Sequence, residues 1–105
     1  MEQGACIILT SVETEADGLR LANNLVEKGL AACVQISAPG QSVYRWQGEL
    51  QCVSEYYLNI KTTGASAEAV VVWLKQQHPY QTPEILCLSA ESSRAYLEWM
   101  RATTS

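Results

Sequence analysis

The sequence predicts a single α+β domain, in which two strand-helix-strand units combine around one antiparallel sheet. Three observations carry this reading. The hydrophobic period alternates between two and about 3.6 in the order β-α-β-β-α-β. One alternating stretch, Glu49 to Lys61, is much longer than any other. No Pro/Gly/Ser-rich or charged run splits the 105 residues into separate cores, so residues 1–105 form one domain.

Ala5 to Thr10 is rich in β-branched residues, apolar on both faces and too short for a helix, as expected of a central strand. Thr14 followed by Asp17 resembles a capping box. Leu19, Ala22, Val26 and Leu30 then recur at near-helical spacing, and Gly29 can end that helix. From Ala31 the period is two until Pro39-Gly40 interrupts it with a bend or bulge. The chain resumes extended over Ser42 to Trp46 and turns at Gln47-Gly48. The long strand follows, with Leu50, Cys52, Tyr56, Leu58 and Ile60 on one face.

A second helix is expected from Ser66 or Ala67, with Ala67, Val70, Val71 and Leu74 as its buried stripe. It ends at His78-Pro79, because the residue before proline is pushed out of the helical region. Glu84 to Ala90 reads as the last core strand. Ser92 or Ser93 caps a short C-terminal helix carrying Tyr96, Leu97, Trp99 and Met100. This order is the split βαβ, or ferredoxin-like, arrangement plus one extra helix, with an extended central hairpin.

The hairpin predicts a partner. A strand rises about 3.3 Å per residue, so Glu49 to Lys61 spans about 40 Å, whereas a globule of this length is about 34 Å across. An overhanging tip leaves Tyr44, Trp46, Leu50 and Cys52 facing water on pairable edges, which natural monomers avoid. The expected partner is another copy of the chain, paired through residues 42–61.

The net charge of −4, with seven basic residues scattered along the chain, argues against nucleic-acid and membrane-surface partners. Met1-Glu2-Gln3-Gly4 lacks a basic signal-peptide start, and the apolar runs are far shorter than the ~20 residues of a membrane span, so the expected location is cytoplasmic. Cys6, Cys33, Cys52 and Cys87 form no Cys-x-x-Cys pair and read as small buried hydrophobes. There is no Gly-rich phosphate loop, no Gly-x-Ser-x-Gly elbow and no His-Glu-x-x-His pair, which argues against an enzyme.

The only histidine, His78, stands at a helix end, where it either meets the last carbonyls or serves as a metal ligand. Glu55, Lys61 and Glu84 are the charged residues expected to line a cleft.

Gly29-Leu30-Ala31-Ala32-Cys33-Val34, Ser42-x-Tyr44-x-Trp46-x-Gly48, Ile60-Lys61-Thr62 and above all His78-Pro79-Tyr80-Gln81-Thr82-Pro83-Glu84-Ile85 resemble the divalent-cation-tolerance protein CutA family. The likeness runs in order over essentially the whole chain. It implies a ferredoxin-like subunit in a tight homotrimer joined through the hairpin strands, similar in architecture to the PII signalling proteins, and a response to copper or other divalent cations. In family members associated with copper, a cysteine ends the first strand and a histidine pair precedes Pro-Tyr. Here those positions hold Thr10 and Gln77-His78, which leaves His78 as the implied ligand for Cu(II) or another divalent cation. The alternative is a PII-like sensor or scaffold. It would hold a small anion or metabolite in an inter-subunit cleft near Trp46, Tyr56, Lys61, Tyr80, Thr82 and Glu84.

Overall fold

In the computed structural model, which describes all 105 residues, the elements run β1 (Glu2–Val12), α1 (Glu15–Glu27), β2 (Cys33–Ile36), β3 (Gly40–Trp46), β4 (Glu49–Thr63), α2 (Gly64–Gln77), β5 (Leu86–Ser92) and α3 (Arg94–Thr103). The order and type of the elements match the expectation, except that the expected bent strand before the turn is two strands, β2 and β3. The sheet is antiparallel in the order β2-β4-β1-β5, with β3 added to the free end of β4. The second half of β4 lies between β1 and β2, as in Ile8↔Ile60 and Val34↔Ile60. Its first half pairs with β3 alone, from Gly40↔Glu55 to Trp46↔Glu49.

Gln47 (φ 51°) and Gly48 (φ 82°) close this hairpin with two left-handed residues, the turn that matches the natural twist of paired strands. The break at Ser37–Pro39 lets the chain re-enter the hairpin at Gly40. A Cβ there would lie 2.8 Å from the Tyr57 ring, so only glycine allows this approach.

Even-numbered β1 residues Cys6, Ile8 and Val12 pack with Leu58, Ile60, Leu21, Leu25, Val70 and Leu74 in the main core, beneath α1 and α2. Each fully buried aliphatic side chain there contributes about 1.5–3 kcal/mol. α3 buries Leu97 and Met100 with Ala5 and Ala32 in a second, smaller cluster on the other face.

Several boundaries and faces differ from the sequence reading. The buried stripe of α1 is Gly18, Leu21, Ala22 and Leu25, while Leu19 and Val26 are exposed. Of the expected stripe Ala22 is buried and Leu30 packs partly against the core, whereas Leu21 and Leu25 take the places expected of Leu19 and Val26. Thr14 does cap α1, accepting from the Asp17 amide at 3.1 Å. α2 begins earlier than expected because Thr63 is its cap, accepting from the Ser66 amide at 3.3 Å. Ser93 caps α3. β5 starts two residues later than expected, since Tyr80 to Ile85 stays irregular. Of the four cysteines only Cys6 is buried. Cys33 is half-buried, and Cys52 and Cys87 are exposed on the hairpin and on the edge strand.

The overhang is present. The molecule measures 45 × 25 × 24 Å with a radius of gyration of 14.3 Å, against about 13 Å for a compact chain of this length. Its accessible surface is 6325 Å², where a monomer of this mass typically shows about 5,800 Å². Leu50 and Val43 on the hairpin are 69% and 65% exposed, and Leu86 and Leu88 on the edge strand are 55% and 51% exposed. No helix is long and apolar enough to cross a membrane.

Candidate functional site

The root of the hairpin, the end of β1 and the irregular segment after α2 enclose a cleft of about 580 Å³. β1 and its exit supply Ser11 and Glu13; β3 supplies Ser42, Val43, Tyr44 and Trp46; β4 supplies Glu55. The segment after α2 supplies Tyr80, Gln81, Thr82 and Glu84. Strand register explains the aromatic wall. Ser42, Tyr44 and Trp46 lie opposite Val53, Gln51 and Glu49, whose period-two parity they share with Glu55.

His78 fixes the segment that follows it. As the C-cap of α2 it donates its own amide to the Leu74 carbonyl, and Pro79 then turns the chain outward. His78 as a whole is 8% exposed. Its Nδ1 accepts the Tyr80 amide at 3.1 Å, so the proton sits on Nε2. Nε2 lies 3.0 Å from the Ser11 carbonyl and 3.0 Å from Thr10 Oγ1. A carbonyl only accepts, so Nε2–H donates to it. Burial pushes the His78 pKa below the usual 6.5 and outweighs the Ser11 carbonyl, which pulls it up. His78 is therefore a neutral clamp between the end of β1 and the start of the cleft segment. Arg20 adds a second tie, donating to the Gln77 carbonyl at 3.1 Å.

Tyr80, tilted against the His78 ring at 4.8 Å between centroids, donates its hydroxyl to Glu55 Oε2 at 2.5 Å. Burial, then the Glu55 carboxylate, push the phenol pKa well above the usual 10, so it remains a donor. Glu55 is only 5% exposed, and no protein donor reaches its other oxygen, which is not sealed from the cleft.

The structure thus brings together Trp46, Glu55, Tyr80, Thr82 and Glu84 of the expected cleft, but not Tyr56 or Lys61. Tyr56 follows Glu55 on a strand, points to the opposite face and packs against the main core. Lys61 lies six residues along β4 from Glu55, about 20 Å away, paired between Ile7 and Cys33. Glu13 escaped sequence reasoning because it lies in the short link between β1 and α1, with no motif around it. With Glu13, Glu55 and Glu84 present and no Lys or Arg in the lining, the cleft is acidic.

The residues do not form a closed metal site within one chain. Both ring nitrogens of His78 are engaged inside the protein, leaving no lone pair for a cation in this arrangement. No three His, Cys, Asp or Glu side chains converge closely enough to hold an ion. What the cleft offers is a concentrated negative field, carboxylate and hydroxyl oxygens, and aromatic faces.

The family model for CutA1 divalent ion tolerance proteins matches residues 6–103. The divalent-cation tolerance protein CutA of Pectobacterium atrosepticum is 41% identical over 100 residues, covering 94% of this chain and 91% of the relative. The protein of that name from Thermus thermophilus is 41% identical over 99 residues, covering 93% and 96%. The solved structure of CutA from Synechococcus elongatus superposes with a TM-score of 0.92 at 45% identity, covering 97% of this chain and 91% of that one. The fold, the hairpin and the sequence agree over nearly the full length, and this chain belongs to the CutA divalent-cation-tolerance family.

Proposed function

We propose that the chain acts as a self-assembled, non-catalytic binding protein in the response to divalent metal ions, attracting the cation to the acidic cleft beside the hairpin. The observation that carries this reading is the lining itself: three carboxylates and no basic side chain. Oxygen donors of this kind accept divalent cations, Cu(II) included, and a hydrated ion fits where inner-shell chelation by one chain does not. Groups from an adjoining copy would complete the coordination. The same lining disfavours a small anion, since Lys61, the cation expected to hold it, lies far along β4.

Self-assembly is supported by the overhanging hairpin and by the exposed Val43, Leu50, Leu86 and Leu88. Three copies is the number the family resemblance implies.

Titrating the purified protein with Cu²⁺ by calorimetry tests the cation reading. A Glu13→Gln/Glu84→Gln double variant is expected to bind at least about tenfold more weakly, a loss of about 1.4 kcal/mol. His78→Ala, which loosens the segment carrying Glu84 but removes no carboxylate, should weaken binding less than the double variant does. Equal binding by the parent and the double glutamine variant would overturn the assignment to the cleft.

A further inference from the structure

We propose that Cys6 and Cys87 form an oxidation site that closes to a disulfide when the protein meets a small peroxide. Their Sγ atoms are 2.7 Å apart, although the residues are 81 positions apart in sequence. They stand on adjacent antiparallel strands as diagonal neighbours: Cys87 lies opposite Ile8 and Cys6 opposite Ser89. Both thiols are free, and closing the bond needs an approach of only about 0.7 Å. Cys87 is held opposite Ile8 in the ladder, so the approach falls to its exposed side chain rather than to the backbone.

The two sulfurs differ in the way such a pair requires. Cys87 is exposed at the sheet edge and Cys6 is buried. Burial first, then the contact with Cys87, push the Cys6 thiol up to about 12, so it does not react with peroxide by itself. Cys87 attacks first. Its thiolate displaces one oxygen of the peroxide as hydroxide and becomes a sulfenic acid. The Cys6 sulfur then attacks the Cys87 sulfur, its proton leaving with the second oxygen as water. In sum two thiols lose two protons and two electrons, and one hydrogen peroxide becomes two waters. Cys87 shares the parity of Ile8, so it lies on the sheet face opposite to Leu86 and Leu88, and self-association through those leucines leaves it reachable.

The disulfide would staple the edge strand to the central strand across a long loop, which stabilises a domain by constraining its unfolded chain. The test is to expose the intact, reduced protein to a modest excess of hydrogen peroxide, then count free thiols and map tryptic peptides by mass spectrometry. The expected product has two of its four thiols left, the peptide ending at Arg20 joined to the peptide ending at Arg94, and a thermal midpoint higher by on the order of 10 °C. A Cys33→Ser/Cys52→Ser variant should behave the same. Cys87→Ser, a change at an exposed position, should keep Cys6 reduced. Four intact thiols after treatment, or oxidation confined to Cys33 and Cys52, would overturn the proposal.

Discussion

The Tyr80 hydroxyl donates to the Glu55 carboxylate at 2.5 Å, tying the segment after α2 to the root of the hairpin. Glu55 pairs with Gly40 where β3 enters, so this one bond holds together the two sides of the cleft. Tyr80→Phe is expected to lower stability by about 1–3 kcal/mol, because a nearly buried carboxylate loses its donor. Urea unfolding at neutral pH measures it. The phenol pKa is raised in the folded state, so its contribution is whole below the unfolded value of 10 and is lost as the pH rises through the folded value. Stability should therefore fall more steeply above pH 10 in the parent than in Tyr80→Phe.

His78 gives a pH dependence of the opposite sign. Its pKa is lowered by burial, so its contribution is whole above the usual 6.5 and is lost as the pH falls through the folded value. With one histidine in the chain, stability should begin to decline as the pH falls below 6.5, above the range where ordinary carboxylates titrate. His78→Ala should cost about 1–3 kcal/mol at pH 7, from the lost bonds to Ser11 and Tyr80, and flatten that slope. Unfolding curves across this pH range give both quantities.

Charge on the hairpin should block self-pairing without unfolding the subunit. Val43 and Leu50 are largely exposed in the isolated chain and belong to neither apolar core. Val43→Lys/Leu50→Lys is expected to leave the circular dichroism spectrum unchanged while reducing the mass in solution to that of one chain. Unchanged mass would place the contacts elsewhere.

The element order was readable in the sequence because each strand and helix carries its own period and its own punctuation. Thr14-x-x-Asp17, Gln47-Gly48 and His78-Pro79 all mark real boundaries. Faces were harder to read. On α1 both Leu19/Val26 and Leu21/Leu25 lie at helical spacings, and only packing against Leu58 and Val12 decides which is buried. The cysteines misled for a related reason: composition favours burial, but Cys52 and Cys87 sit on the hairpin and an edge strand.

Most of the cleft was legible. Trp46, Tyr80, Thr82 and Glu84 fall in compact motifs that stay together when folded. Tyr56 and Lys61 share β4 with Glu55 but miss the cleft, because one residue along a strand reverses the face and six residues span about 20 Å. His78 was recognisable as special, but only its neighbours in space, Ser11 and the Tyr80 amide, show that its nitrogens are engaged within the fold.

Assembly through the hairpin is best tested by the mass of the unmodified protein in solution, measured by light scattering at micromolar concentration. Three chains of 11.6 kDa predict about 35 kDa, independent of dilution through that range. A constant mass of 11.6 kDa would contradict the account, leaving the overhanging hairpin without the partner that its exposed apolar edges require.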